Sequence, residues 1–229
     1  MSQVRAWPLL DRWFPNRAAW SRPVYSAWCL GMFVLLGGLP YTIINRVAAW
    51  RDASVLDVET AIDLSLPFVP WMALVYVTFY AYFPVVFWMG SLETRREEAL
   101  WFTQRLIQAS WIAFALFLLL PVKVDLRHQV EPSGGLLGFI MDALYVVDQP
   151  YNAWPSLHVL QSLLVVLMGR HWFMQGGRWT RGPAVVVWCA WLMLCLSTLL
   201  VKQHYLFDVI TATILATVVW RRWFNPDIN

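Results

Sequence analysis

Residues Pro183 to Val201 read PAVVVWCAWLMLCLSTLLV, a run without a single charged side chain. At about 1.5 Å per residue, some 20 residues of helix cross the ~30 Å hydrocarbon core of a bilayer, so this run is long enough to span it. Immediately after it comes the polar stretch Lys202-Gln203-His204-Tyr205-Leu206-Phe207-Asp208, and the apolar segment Gln203 to Trp220 therefore carries His204 and Asp208 at its start. Working outward, uncharged runs also occupy Pro23 to Asn45, Leu64 to Leu92 and Leu106 to Val122, with a shorter one from Pro155 to Gly169. The pattern predicts an all-α, polytopic membrane protein with six transmembrane helices in one domain over residues 23–222. An interfacial segment, 1–22, precedes the domain and a short tail, 223–229, follows it.

Composition agrees with that expectation. Of the 229 residues 59% are hydrophobic and 14% charged, well below the roughly 25% charged fraction of soluble domains. Many of the sixteen tryptophans sit at the ends of runs, among them Trp20, Trp71, Trp101, Trp154, Trp172, Trp220 and Trp223, as an interfacial aromatic belt requires. Cys29, Cys189 and Cys195 all fall inside predicted spans, which argues against a disulfide framework or a zinc site. Although the net charge is +3, the arginines are spread around the spans rather than gathered in one basic domain, so nucleic acid is not an expected partner.

The placement of those charges predicts topology. With six spans, one face receives Arg5, Arg12, Arg17, Arg22, Arg95, Arg96, Arg105, Arg170, Arg178, Arg181, Arg221 and Arg222, twelve of the seventeen basic residues. The positive-inside rule makes that face, with both termini, cytoplasmic. Residues 1–22 mix three of these arginines with Trp7, Leu9, Leu10, Trp13 and Phe14, which reads as a helix lying in the interface. The first apolar run is too long for a signal-peptide core and lacks an obvious small-residue cleavage site, so it is expected to stay as the first helix. Leu136 to Val147 is apolar but too short to cross, which predicts a buried or re-entrant helix.

Three segments on the opposite face hold most of the ionisable groups: Lys123 with Arg127, Pro155-Ser156-Leu157-His158, and Lys202 to Asp208. Lys123, Arg127 and Lys202 are three of only five basic residues on that side. They either snorkel from helix ends or hold an anion such as phosphate. His204 and Asp208, four residues apart, share one helical face, so the carboxylate can accept one imidazole N–H and leave the other nitrogen free to attack. An ionisable pair of this kind near a bilayer is a functional hypothesis by default. His158 can protonate a leaving oxygen, while Ser156 either binds phosphate or simply caps the helix that follows. Asp142, Asp148, Tyr151 and Asn152 lie close enough in sequence to reach the same region.

Over roughly residues 60–222 these segments resemble the type 2 phosphatidic acid phosphatase (PAP2) superfamily, a six-helix fold related to vanadium haloperoxidases. Pro155-Ser156-Leu157-His158 fits its second signature, and His204-Tyr205-Leu206-Phe207-Asp208 fits the end of its third. The resemblance implies that His204 attacks phosphorus to form a phosphohistidine, that Asp208 orients it and that His158 is the general acid. It further implies that Lys123, Arg127 and Ser156 hold phosphoryl oxygens, with no metal or other cofactor. The chain departs from the family pattern in two places. Ser197 and Thr198 stand where the third signature has Ser-Arg, with Lys202 the nearest replacement charge, and only three residues separate Lys123 from Arg127. Leu157 and the His204-Tyr205 pair look more like the inositol-phosphorylceramide synthase and sphingomyelin synthase branch.

Two activities share this chemistry as far as the phosphohistidine. A lipid phosphotransferase takes a phospholipid diester and passes the headgroup to a lipid alcohol, whereas a lipid phosphate phosphatase uses water as acceptor. A dianionic monoester calls for more cationic contacts than a monoanionic diester, so threonine at 198 favours the transferase. A non-catalytic protein binding a lipid headgroup or an ion, and a metal hydrolase built on His158, His204 and Asp208, are the remaining readings. Neither the paired interrupted spans of a transporter nor a closely spaced metal-ligand motif is present.

Overall fold

The computed structural model describes residues 7–131 and 134–224, and within them every regular element is helical. Arg5 and Val4 of the expected interfacial segment, and most of the C-terminal tail, lie outside the described residues. A short helix, α1 (Pro8–Trp13), is followed by α2 (Arg22–Arg51), α3 (Ala61–Ser65), α4 (Met72–Gly90) and α5 (Glu93–Leu119). Then come α6 (Gly135–Val147), α7 (Leu157–Gln175), α8 (Arg181–Leu200) and α9 (Leu206–Val219), the last continuing as a π turn over Trp220–Phe224.

Five of these helices, α2, α4, α5, α7 and α8, are long and apolar enough to cross a membrane. The chain is therefore read as a multi-pass membrane protein, with five such helices rather than the six expected from sequence. The segment expected as the sixth span is helical from Leu206 to Phe224. It carries Asp208 at one end and Arg221 and Arg222 at the other, so charge rather than a lack of helix sets it apart.

Helix α7 lies at the centre and packs against α4, α5, α8 and α9. Its first ten residues, Leu157 to Val166, are all buried, the polar Gln161 and Ser162 among them bonded to Ser110 and Trp191 of neighbouring helices. Around it Phe79, Phe83, Phe87, Phe102, Phe114 and Trp172 fill the main core. Gly90 at the end of α4 is required by this packing, because a Cβ there would come within 2.5 Å of Ala99 and 2.7 Å of Trp172.

Helix α2 is interrupted by a π turn at Val34–Gly38. Pro40, two residues further on, has no N–H to return to the Leu36 carbonyl. The Trp111 indole takes up that carbonyl instead, at 2.9 Å.

Because successive spans run in opposite directions, their connections gather at two unlike ends. At one end, Ser91-Leu92 and Gly176 to Thr180 are short, and side chains fasten the helices to one another. Glu98 accepts from His171 (2.6 Å) and from the Trp172 indole (2.7 Å), Tyr25 donates to the Arg96 carbonyl (2.6 Å), and Arg96 donates to the carbonyls of Ala18 and Ser91. Arg17 pairs with Asp11 at 2.6 Å and Glu97 at 3.3 Å, folding the α1 segment onto this end.

At the other end, residues 52–71 and 120–156 form long connections over the bundle, and residues 201–205 a short one. The bridge between Val122 and Asn152, and the bond from the Val124 N–H to the Pro150 carbonyl (2.8 Å), hold two of their strands of chain together. Helix α6 buries Gly138, Met141 and Leu144, the last two against Met72, Ala73, Tyr76 and Val201. It leaves Leu136, Phe139, Val146 and Val147 exposed. Its three-residue spacing of buried positions makes it amphipathic, so it is buried on one face only rather than throughout.

Candidate active site

The polar stretch after Val201 owes its shape to the way α8 ends. Lys202 is left-handed, with φ 57°, its N–H bonds to the Leu199 carbonyl (3.1 Å), and the Gln203 N–H bonds to the Thr198 carbonyl (3.0 Å). This is the paired 6→1 and 5→2 closure of a Schellman motif, with lysine where glycine is usual. The Thr198 carbonyl also accepts the His204 N–H at 3.2 Å, so the residue that replaces the family arginine positions the histidine through its backbone. The side chain of Lys202 is fully buried, and its ammonium donates to the carbonyls of Asp63 (3.2 Å) and Leu66 (2.6 Å). Burial pushes this ammonium below its ordinary pKa, and nearby Asp63 pulls the other way.

Asp63 closes the turn from the other side. One of its carboxylate oxygens caps α3 by accepting from the Thr60 N–H (2.8 Å), and the other accepts the Leu206 N–H that opens α9 (2.7 Å). At the third position of α9, Asp208 is buried and reaches back to the Tyr205 N–H (2.8 Å), which suits a carboxylate beside a helix N-terminus. The same oxygen lies 3.4 Å from His204 Nδ1. That contact engages one ring nitrogen of His204 and leaves Nε2 free.

His158 is the second residue of α7, whose first turn is capped by Ser156 Oγ accepting the Val159 N–H at 3.5 Å. Its ring packs between Tyr76 and Phe79, with centroids 4.5 and 4.4 Å away, and lies 5.8 Å from the His204 ring. Asp148 Oδ2 is 3.8 Å from His158 Nε2. Two tyrosines from different helices hold that carboxylate, Tyr41 at 2.6 Å and Tyr76 at 2.9 Å.

Tyr41, Tyr76, Asp148, Asn152, Gln203 and the two histidines line one small polar cavity. Asn152 Nδ2, Gln203 Nε2 and Arg127 Nε are buried with no protein partner. Arg127 joins the cavity through Gln203 Oε1 (3.0 Å), donates to the backbone of Asp148 and Tyr145, and stacks on the Tyr145 ring at 4.5 Å. Burial lowers the Arg127 guanidinium below its ordinary value, an effect that Tyr145 and Asp148 oppose.

The structure thus brings together His158, His204, Asp208 and, at the edge, Arg127. It does not bring Lys123, Lys202 or the Ser156 hydroxyl into the cavity. Lys123 is 39% exposed, 3.4 Å from Asp52 and above the Tyr151 ring. Lys202 is tied to carbonyls on its far side, and Ser156 is spent on its helix cap. Asp142 is exposed, and Tyr151 donates to Asp52 at 2.6 Å.

Tyr41, Tyr76 and Gln203 escaped sequence reasoning. The tyrosines sit in apolar runs where an aromatic belt accounts for them, and Gln203 carries no charge to draw notice. Asp148 and Asn152 were indicated by nearness in sequence alone. Among the described residues, no three His, Cys, Asp or Glu groups form a metal-ligand cluster.

No curated protein and no solved structure matches the chain. The family profile described as the PAP2 superfamily matches residues 45–221, a range that takes in both histidines and both of the carboxylates facing them. With that match over most of its length, the chain belongs to the PAP2 superfamily.

Proposed function

We propose that the protein is a lipid phosphotransferase that moves a phosphorylated headgroup by way of a phosphohistidine at His204. What supports this reading is the cavity itself: two buried histidines, each facing a carboxylate, beside amide and guanidinium N–H groups that have no protein partner. Superfamily membership points to phosphatase or phosphotransferase activity on lipid phosphates.

In the first step His204 Nε2 attacks phosphorus, the bond to the leaving alcohol breaks, and His158 gives that oxygen its proton. Asp208 holds the His204 ring and stabilises the positive charge that it acquires. In the second step an acceptor hydroxyl loses its proton to His158 as its oxygen attacks phosphorus, and the P–N bond breaks. Arg127, Asn152 and Gln203 hold the non-bridging oxygens throughout. No metal takes part in this scheme.

The single guanidinium among neutral amides favours a monoanionic phosphodiester as donor over a dianionic monoester, because Lys123 and Lys202 are engaged elsewhere. The second reading is a lipid phosphate phosphatase, in which water enters at the second step. The excess of arginines at the fastened end supports a cavity on the non-cytoplasmic face.

Purified wild type and His204→Ala are to be incubated with a lipid phosphate monoester, a phospholipid diester and a lipid alcohol, following free phosphate and new lipids together. A new phosphodiester lipid that the mutant cannot make is the expected result. Free phosphate lost in the mutant establishes the phosphatase instead, and identical behaviour of the two proteins sinks the catalytic role of His204.

A further inference from the structure

A second cavity, of about 460 Å³, opens between α2 and α4, and its size is within the range of small-molecule sites. Its rim is apolar and exposed, with Val34 and Leu39 on α2 and Tyr80 on α4. Its floor is buried and formed by Phe33, Phe79 and Phe83. Tyr41, Asp148, Leu157 and His158 line both this cavity and the polar one, so the two adjoin at His158. Gly37 and Gly38, at the end of the π turn, line its α2 side and leave the room that side chains would otherwise fill.

Resting on the activity proposed above, we infer that this groove is the subsite for a hydrocarbon chain of the lipid substrate, which reaches the histidines sideways from the bilayer. Three observations carry the inference. The groove shares the wall formed by Tyr41, Asp148, Leu157 and His158 with the catalytic cavity, and its open side lies along two helices that are apolar enough to span a membrane. It also has the right extent: on α2 its lining runs from Leu30 to Thr42, about 18 Å of helix, against about 15 Å for one leaflet of the hydrocarbon core. A headgroup at the histidines therefore leaves the chain lying at the depth it occupies in the membrane. Another apolar cavity, of about 390 Å³ between α4, α7 and α8, shares no residue with the polar site and serves as the control.

The test is Gly38→Leu in the full-length protein in nanodiscs. The new Cβ finds nothing nearer than Val34 at 3.9 Å, so the backbone accommodates it and the side chain occupies the groove. Phosphatidylcholine and phosphatidylinositol with hexadecanoyl or hexanoyl chains are the donors. The expected result is a KM raised roughly tenfold for the long-chain donors with kcat kept, and little change for the short-chain ones, the signature of lost uniform binding. Ala190→Leu in the control cavity should leave the ratio of long-chain to short-chain KM unchanged.

A second readout needs no turnover. Phosphatidylcholine carrying a diazirine in its acyl chain should label the Phe33 and Phe83 peptides in wild type and lose that label in Gly38→Leu. Labelling elsewhere only, or unchanged by the substitution, overturns the groove, as does equal loss of activity on long and short chains. If wild type turns over none of the donors while the labelling holds, it is the proposed activity that fails and the groove that stands.

Discussion

At the scale of single residues, the most consequential side chain is one that sequence reasoning reached only by proximity. Asp148 ends a short apolar helix and has no motif around it, so its two tyrosine partners, from α2 and α4, appear only when the chain is folded. His158 and His204 were legible because Ser156 marks a helix start and Asp208 stands four residues from His204, although His204 lies just before the N-cap of α9 rather than on the helical face expected of it. Lys123 and Lys202 misled because a cation on an otherwise acidic face invites an anion, and sequence cannot reveal that Asp52 and two carbonyls are nearer partners. Asp148→Asn should lower kcat on lipid donors by about 10²-fold while leaving KM unchanged, if the carboxylate keeps His158 ready to protonate the leaving oxygen. A nitrophenyl phosphodiester, whose leaving group needs no proton, should be turned over nearly as well by the variant as by wild type. Equal loss on both substrates would reduce Asp148 to a packing role.

At the scale of elements, the turn from α8 to α9 is where structure and chemistry meet. The sequence showed that one helix ends and another begins there, but not that a left-handed lysine makes the turn or that α3 locks it through Asp63. A non-glycine residue in that conformation costs about 1 kcal/mol, and it persists because the buried ammonium is tied down on two carbonyls. Lys202→Met should therefore lower stability by about 1.5–3 kcal/mol, the worth of hydrogen bonds to a charged group, seen as a lower thermal midpoint in detergent. Its effect on turnover should fall on kcat, through the placement of His204. A higher KM with an unchanged midpoint would instead make Lys202 a phosphate ligand. The π turn of α2 was equally hidden, since Pro40 announces a break in the helix but not the indole that repairs it.

At the scale of the whole molecule, apolar run lengths anticipated the all-helical membrane architecture; α2, α4 and α8 overlap those runs closely, whereas α5 begins at Glu93, well before its run at Leu106, because its first turns carry charges that pair within the bundle. The shorter run, Pro155 to Gly169, became α7, the most enclosed helix of all, because its polar residues face partners inside the bundle rather than lipid. The Gln161 amide, for example, donates to Ser110 at 2.7 Å. Charge counting also predicts an orientation. Single cysteines introduced at Glu131 and Arg178 should differ in reaction with an impermeant maleimide on intact cells, the first labelled from outside and the second only after permeabilisation. The reverse pattern would put the histidines on the cytoplasmic side.

The same asymmetry bears on how such a bundle is held together. Short connections, the Glu98 grip on His171 and Trp172, and the Gly90 contact with Ala99 and Trp172 all lie at the end remote from the histidines. At the other end two of the three connections are long and carry the short helices α3 and α6. A bundle made in this way is laced directly, helix to helix, at its arginine-rich end, whereas at the histidine end it is drawn together through the connections themselves, with Asp148 tying α2 to α4 and Asp63 tying α3 to α9.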